Sequence, residues 1–188
     1  GIESGLDDVL KFMKKDHDLA QAYQAIDRLH EAGLIYDAHI MTGVAGKGRG
    51  MENAEALAQF LNRTNPAHVV NFSMFLHKEV PLYQDIRQGT FVPADELETI
   101  REEYHLIERI APEKAGANIL YDGFHDFIHV RVRGHLPGDK EKMLAKLNGI
   151  IQEYEGKEPV YSFVQGECPD LEYCDDGKAV WDMDRKTS

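Results

Sequence analysis

Three short stretches hold the residues best placed to do chemistry. Glu3 stands within Gly1-Ile2-Glu3-Ser4-Gly5, Thr42 opens the run Gly43-Val44-Ala45-Gly46-Lys47-Gly48, and Phe75-Leu76-His77-Lys78 ends an apolar stretch. Each follows residues that read as a strand, and parallel βα units place ligand sites at the carboxyl ends of their strands. A carboxylate at such an edge accepts hydrogen bonds from a ribose diol. A glycine there lets a flat ring approach the backbone, because no Cβ intervenes. The same residues have a plainer use, in which Glu3 caps a helix and the glycines only turn the chain. Spacing leaves both readings open.

Two other chemistries are weaker. The glycine run lacks the GxxxxGK[ST] spacing and the hydroxyl of a phosphate loop. His125 and His129 would share a face on a helix. On the strand that the alternation around them predicts, they stand about 13 Å apart, too far for one ion. Together with His135 they read as ordinary surface histidines, and the sequence assigns no metal ligand. Cys168 and Cys174 could add sulfur, but nothing fixes their geometry.

These residues need elements to hold them. Leu6, Val9, Leu10 and Met13 recur at helical spacing, and Ser4 with Asp7 suggests a capping box. Leu19, Tyr23, Ile26 and Leu29 form a second stripe, which ends at Ala32-Gly33. Leu34 to Met41 reads as a strand, Ala54, Leu57, Ala58 and Leu61 as the inner face of a helix, and His68 to Phe75 as another strand. This alternation is the signature of a parallel sheet. A further amphipathic helix spans about Pro93 to Ile110. Ile128, Val130 and Val132 then alternate with His129, Arg131 and Arg133 as a half-exposed strand, and Pro137-Gly138-Asp139 opens a last helix. The organisation expected is 1–110, 111–156 and an acidic, mobile tail at 157–188, anchored only by Trp181.

The opening residues read like the end of a buried strand whose beginning lies upstream, so the chain is expected to be the back part of something larger. Such a sheet has an unpaired edge, which predicts a homodimer through that edge or marginal stability. The 188 residues are 43% apolar, enough for a core, and no apolar run approaches a membrane span. A net charge of -12 argues against nucleic acid. Two cysteines fit a reducing compartment such as the cytoplasm.

Together the blocks resemble a family. Gly1 to Leu10 looks like the fourth strand and following turn of radical S-adenosylmethionine enzymes, in the Fe–S oxidoreductase branch related to oxygen-independent coproporphyrinogen oxidase. Gly33 to Gly46 resembles their fifth strand and glycine loop, and Asn62, Asn65-Pro66 and the run to Phe75 the sixth. Pro81-Leu82-Tyr83, Gly89, Phe91 and Leu136 to Lys140 match further blocks, so the resemblance reaches from Gly1 to about Gln152. It implies an α/β fold, the C-terminal half of a (β/α) barrel, with a small α+β extension. It implies an oxidoreductase in which a 4Fe–4S cluster reduces S-adenosylmethionine and releases a 5′-deoxyadenosyl radical, which takes hydrogen from a small-molecule or unknown substrate. Carried over by position, Glu3 meets the ribose, Thr42, Gly43 and Gly46 face the adenosyl moiety, and Phe75 to His77 pack by the adenine. The region from Ala111 to Arg133 borders the substrate. The chain departs from the family in one respect: the CxxxCxxC loop that holds the cluster is absent. The chain alone is therefore expected to be inactive. The alternative is a cluster-free half-barrel that serves as a binding or scaffold protein.

Overall fold

A computed structural model describes residues 1–163. Cys168, Cys174, Trp181 and most of the expected acidic tail lie outside the described residues. Six helices and four strands alternate: α1 (Asp7–Phe12), α2 (Leu19–Glu31), β1 (Asp37–Thr42), α3 (Gly50–Thr64), β2 (His68–Ser73), α4 (Leu82–Gln88), α5 (Glu96–Arg109), β3 (Ile119–His125), β4 (Val130–Leu136) and α6 (Lys140–Tyr154). A single 3₁₀ turn, Asp126–Ile128, joins β3 to β4.

The strands form one open sheet in the order β1-β2-β3-β4. β1, β2 and β3 run parallel, and β4 returns antiparallel as a hairpin with β3. Ahead of β1, Glu3 makes a parallel bridge to Ile40, which places the first residues as one more strand end. The architecture is a partial (β/α) barrel, open rather than closed. Its sheet runs unbroken across residue 110.

Local chemistry sets the element ends. Asp18 accepts the Gln21 amide at 2.8 Å and Gln21 answers at the Asp18 amide at 3.0 Å, a reciprocal cap for α2. Gly33 follows α2 at φ +70, and Asn65 ends α3 in the left-handed region at φ 44. Ser4 does not cap α1 as a box with Asp7. Its Oγ donates to Asn53 instead, and Asp7 accepts the Leu19 amide. The long-range partner wins because Asn53 is buried against it. β1 begins at Asp37, later than the apolar run suggests, since Leu34 and Ile35 are exposed.

One sheet face is buried beneath α3, α5 and α6, with α5 lying between the other two. Ile40, Val69, Ile119, Tyr121, Val132 and Leu136 meet Leu57, Leu61, Ile100, Ile107 and Leu147 there, all fully excluded from water. Each such aliphatic side chain contributes about 1.5–3 kcal/mol. A second apolar cluster, including Val9, Val44, Met74, Leu76 and Phe91, closes the carboxyl end of the strands.

Candidate functional site at the strand ends

The strand ends form a continuous hydrogen-bonded row. The Ile2 and Glu3 amides donate to the His39 carbonyl at 2.8 and 3.1 Å, and the Met41 amide returns to Glu3 O at 2.9 Å. The Met74 amide then donates to Thr42 O at 2.9 Å. Glu3, Thr42 and Gly43 are thereby brought to one edge, with Phe75 one residue beyond the Met74 contact. Glu3 sits at φ 63, and its carboxylate pairs with Lys15 at 3.3 Å. Phe75 is 56% exposed. His77 lies further along, where its Nδ1 accepts the Glu79 amide at 3.2 Å. The Leu76 amide between them is tied to Ser162 O at 2.7 Å.

The glycines serve the loop's own packing. Gly43 and Gly46 both stand at φ 81, a conformation glycine adopts without strain. A Cβ on Gly43 would lie 2.8 Å from Thr99 Cγ2, and one on Gly46 would lie 3.0 Å from Val92 O and 3.2 Å from the Phe91 ring.

Behind this row lies a buried polar network that sequence reasoning missed. His125 is fully buried rather than a surface histidine. Its Nδ1 meets Glu96 Oε2 at 3.0 Å and its Nε2 meets Glu103 Oε2 at 3.1 Å. Tyr121 and Asn71 donate to Glu103 at 2.9 and 3.0 Å, while Ser73 and Ser162 donate to Glu96. Burial alone would depress the His125 pKa, but the two carboxylates outweigh it and hold it at about 10, so the ring is an imidazolium. Burial pushes Glu96 up, yet the bond to His125 and its other donors leave it below its ordinary value.

Glu102 forms the neighbouring clamp. It accepts the Gly43 amide at 2.8 Å and Asn53 Nδ2 at 2.7 Å. Asn53 Oδ1 in turn accepts Ser4 Oγ at 2.6 Å and the Gly5 amide at 3.1 Å. One carboxylate therefore ties together the two segments that follow Glu3 and Thr42. Burial raises its pKa to about 7 against the pull of those donors. A sequence signal existed. Glu96 and Glu103 recur at the seven-residue interval of Ile100 and Ile107, on the stripe that faces inward.

The other sheet face is open. Met41, Phe72, Phe124 and Arg131 stand side by side in one register row. The Phe72 and Phe124 rings stack at 5.4 Å and 16°, and the Arg131 guanidinium lies 4.7 Å from the Phe124 centroid. Arg131 also grips Asp122 through two bonds of 2.8 and 2.6 Å, which holds that carboxyl below its ordinary value. Phe72 remains 37% exposed. The row offers a flat apolar surface with a cation at its end.

The fold defined here is an open β/α half-barrel with its candidate site at the carboxyl edge. No protein-family profile matches the chain, and no curated protein matches it. Among solved structures, the chain is similar to Elp3 of the archaeon Methanocaldococcus infernus with an N-terminal deletion (1–46): TM-score 0.58 and 19% identity, over 81% of this chain and 35% of that one. The chain thus spans about a third of that neighbour's length, and at this identity the likeness shows the fold alone. It gives no support to the coproporphyrinogen oxidase branch. Among the described residues no helix is long and apolar enough to cross a membrane.

Two groups implied by the resemblance can be tested against these residues. The 4Fe–4S cluster does not fit this chain. The whole sequence has two cysteines, whereas such clusters take about four thiolates, and among the described residues no His, Cys, Asp or Glu group is arranged for a metal. S-adenosylmethionine fits better, because the strand ends bring Glu3, Thr42 and Gly43 to one edge and leave Phe72 and Phe75 exposed.

Proposed function

We propose that this chain is the strand-end, cofactor-facing part of a radical S-adenosylmethionine oxidoreductase acting on an unidentified substrate. The observation that carries this reading is the hydrogen-bonded row Glu3–Met41 and Thr42–Met74 beside the open Phe72–Phe124 surface. The fold likeness to archaeal Elp3 supports the open β/α half-barrel that this reading requires. When bound and reduced, S-adenosylmethionine supplies a 5′-deoxyadenosyl radical for hydrogen abstraction. This chain's own residues bind and orient. Glu3 accepts from the ribose hydroxyls, Thr42 to Gly46 border the adenosyl moiety, and Phe75 and His77 flank the base. The Glu102 clamp and the Glu96–His125–Glu103 network keep those segments in register. Cluster ligation is assigned to no residue here. Pairing of two chains through the outer edge of β1, which Ile2 and Glu3 alone meet among the described residues, belongs to the same proposal.

An NMR titration of the full chain with S-adenosylmethionine tests the reading. Shifts concentrated at Glu3, Met41 to Gly46, Phe72 and Phe75, weakened by Glu3→Ala, are expected. Saturable shifts elsewhere, or none at millimolar ligand, overturn it.

A further inference from the structure

We propose that a cleft between α1, the glycine loop and residues 90–92 binds a small anionic ligand with a flat aromatic body. The cleft has a volume of about 370 Å³ and contains none of Met41, Phe72, Phe124 or Arg131. It is therefore separate from the open sheet row and from Glu3, Thr42, Phe75 and His77, and shares only Val44 to Gly46 with the loop proposed to border the adenosyl moiety. Its walls are Val9, Phe12, Val44, Ala45, Phe91 and Val92.

Three observations give the ligand its chemistry. The first is aromatic. Phe12 stacks on Phe91 at 5.8 Å and 16°, and Phe91 is buried while Phe12 is 41% exposed. A planar ring entering the cleft extends this stack and covers apolar surface that water now meets.

The second is charge. Three ionic side chains reach the cleft: Asp8, Lys47 and Arg49. Arg49 is committed, at 2.8 Å to Asp8 and 2.8 Å to Glu52. Lys47 makes no ion pair among the described residues, so its ammonium is the cation left for a ligand. In a chain of net charge -12, a free cation against an apolar wall selects an anion locally.

The third is backbone. Within the glycine loop, 43–48, every amide has a partner among the described residues except two. Gly43 donates to Glu102, Gly46 to Gly43 O, Lys47 to Val92 O and Gly48 to Glu98. The amides of Val44 and Ala45 donate to nothing among the described residues, although both residues are buried and line the cleft. Unpaired amides beside an apolar cavity are rare in folded proteins, and adjacent N–H groups in a glycine loop form an anion-binding concavity. A carboxylate or phosphate on an aromatic ring answers all three features at once.

The test is a ¹H–¹⁵N NMR titration of the full chain with indole-3-carboxylate and, separately, with neutral indole. Shifts should map to Phe12, Val44, Ala45, Lys47 and Phe91, with the carboxylate bound about fivefold more tightly than indole, the scale of one exposed ion pair. Lys47→Ala should abolish that preference without lowering the melting temperature, and Phe12→Ala should weaken both probes. Equal affinities for the two probes overturn the proposal, as does a preference that survives Lys47→Ala. Shifts centred on Glu3, Phe72, Phe75 and Phe124 also overturn it, because the ligand would then occupy the strand-end row.

Discussion

Replacing Glu102 by Gln should remove a pH dependence rather than simply weaken the protein. Glu102 faces two donors, the Gly43 amide and Asn53 Nδ2, and Asn53 has its own oxygen engaged by Ser4 and Gly5. A protonated carboxyl and a carboxamide are near-isosteres here, since each offers one acceptor and turns one donor toward a donor. Gln therefore mimics protonated Glu102, and at about pH 5 the two proteins should have stabilities within about 1 kcal/mol. At higher pH they diverge. The folded pKa of about 7 lies above the ordinary 4.5, so the native state holds a proton that the unfolded chain releases. Stability from this group is complete below 4.5 and is lost as pH rises through 7. At about 1.4 kcal/mol per pKa unit, the loss by about pH 9 is about 3 kcal/mol. Glu102 is fully buried, so solvent screening does not reduce it. Urea unfolding followed by circular dichroism should find Glu102→Gln more stable than the unaltered chain by about 3 kcal/mol at about pH 9. His125 loses its own contribution above neutrality in both proteins, so the difference between them isolates Glu102. A stability difference that stays constant between the two pH values refutes the reasoning.

Three further outcomes follow from the same geometry. His125→Leu strands Glu96 and Glu103 as unpaired buried carboxylates and should cost about 3–5 kcal/mol in urea unfolding, while adding Glu96→Gln and Glu103→Gln should recover part of that loss. Gly43→Ala should cost about 1–3 kcal/mol, from its φ of 81 and the 2.8 Å approach to Thr99 Cγ2; Thr99→Ala should relieve the steric share, and equal costs in both backgrounds would contradict the packing account. After iron and sulfide reconstitution and reduction, this chain alone should release no 5′-deoxyadenosine from S-adenosylmethionine, because two cysteines cannot hold the cluster. Product detected by chromatography, and absent from protein-free controls, would overturn that expectation.

Local signals fixed much of the scaffold. The stripes of α2, α3 and α6 depend on a period of 3.6 residues, and Asp18, Gly33 and Asn65 mark ends through bonds made within a few positions. The runs before Thr42 and Phe75, separated by a helix, suffice for parallel strands. Their carboxyl ends mark where chemistry would sit. The β3–β4 hairpin was less legible. The stretch holding Asp122 and Gly123 lacks clean alternation, because Tyr121 and Gly123 are buried under the helices while Asp122, on the otherwise open face, is shielded by its pairs with Arg131 and Arg133.

What the tertiary structure decided is which ionisable groups are inside. Glu96, Glu102 and Glu103 sit in a helix whose composition is that of a solvated face, and His125 borders an acidic turn. Their burial is tolerable only because each finds a partner 22 to 59 residues away in sequence. A residue's type states its capacity for charge or hydrogen bonding, and the chain's period states which way it faces. Whether a partner waits there depends on how α5 docks across three strands. That docking is a property of the assembled sheet, since the cost of burying a carboxylate is met by donors that no local pattern places beside it.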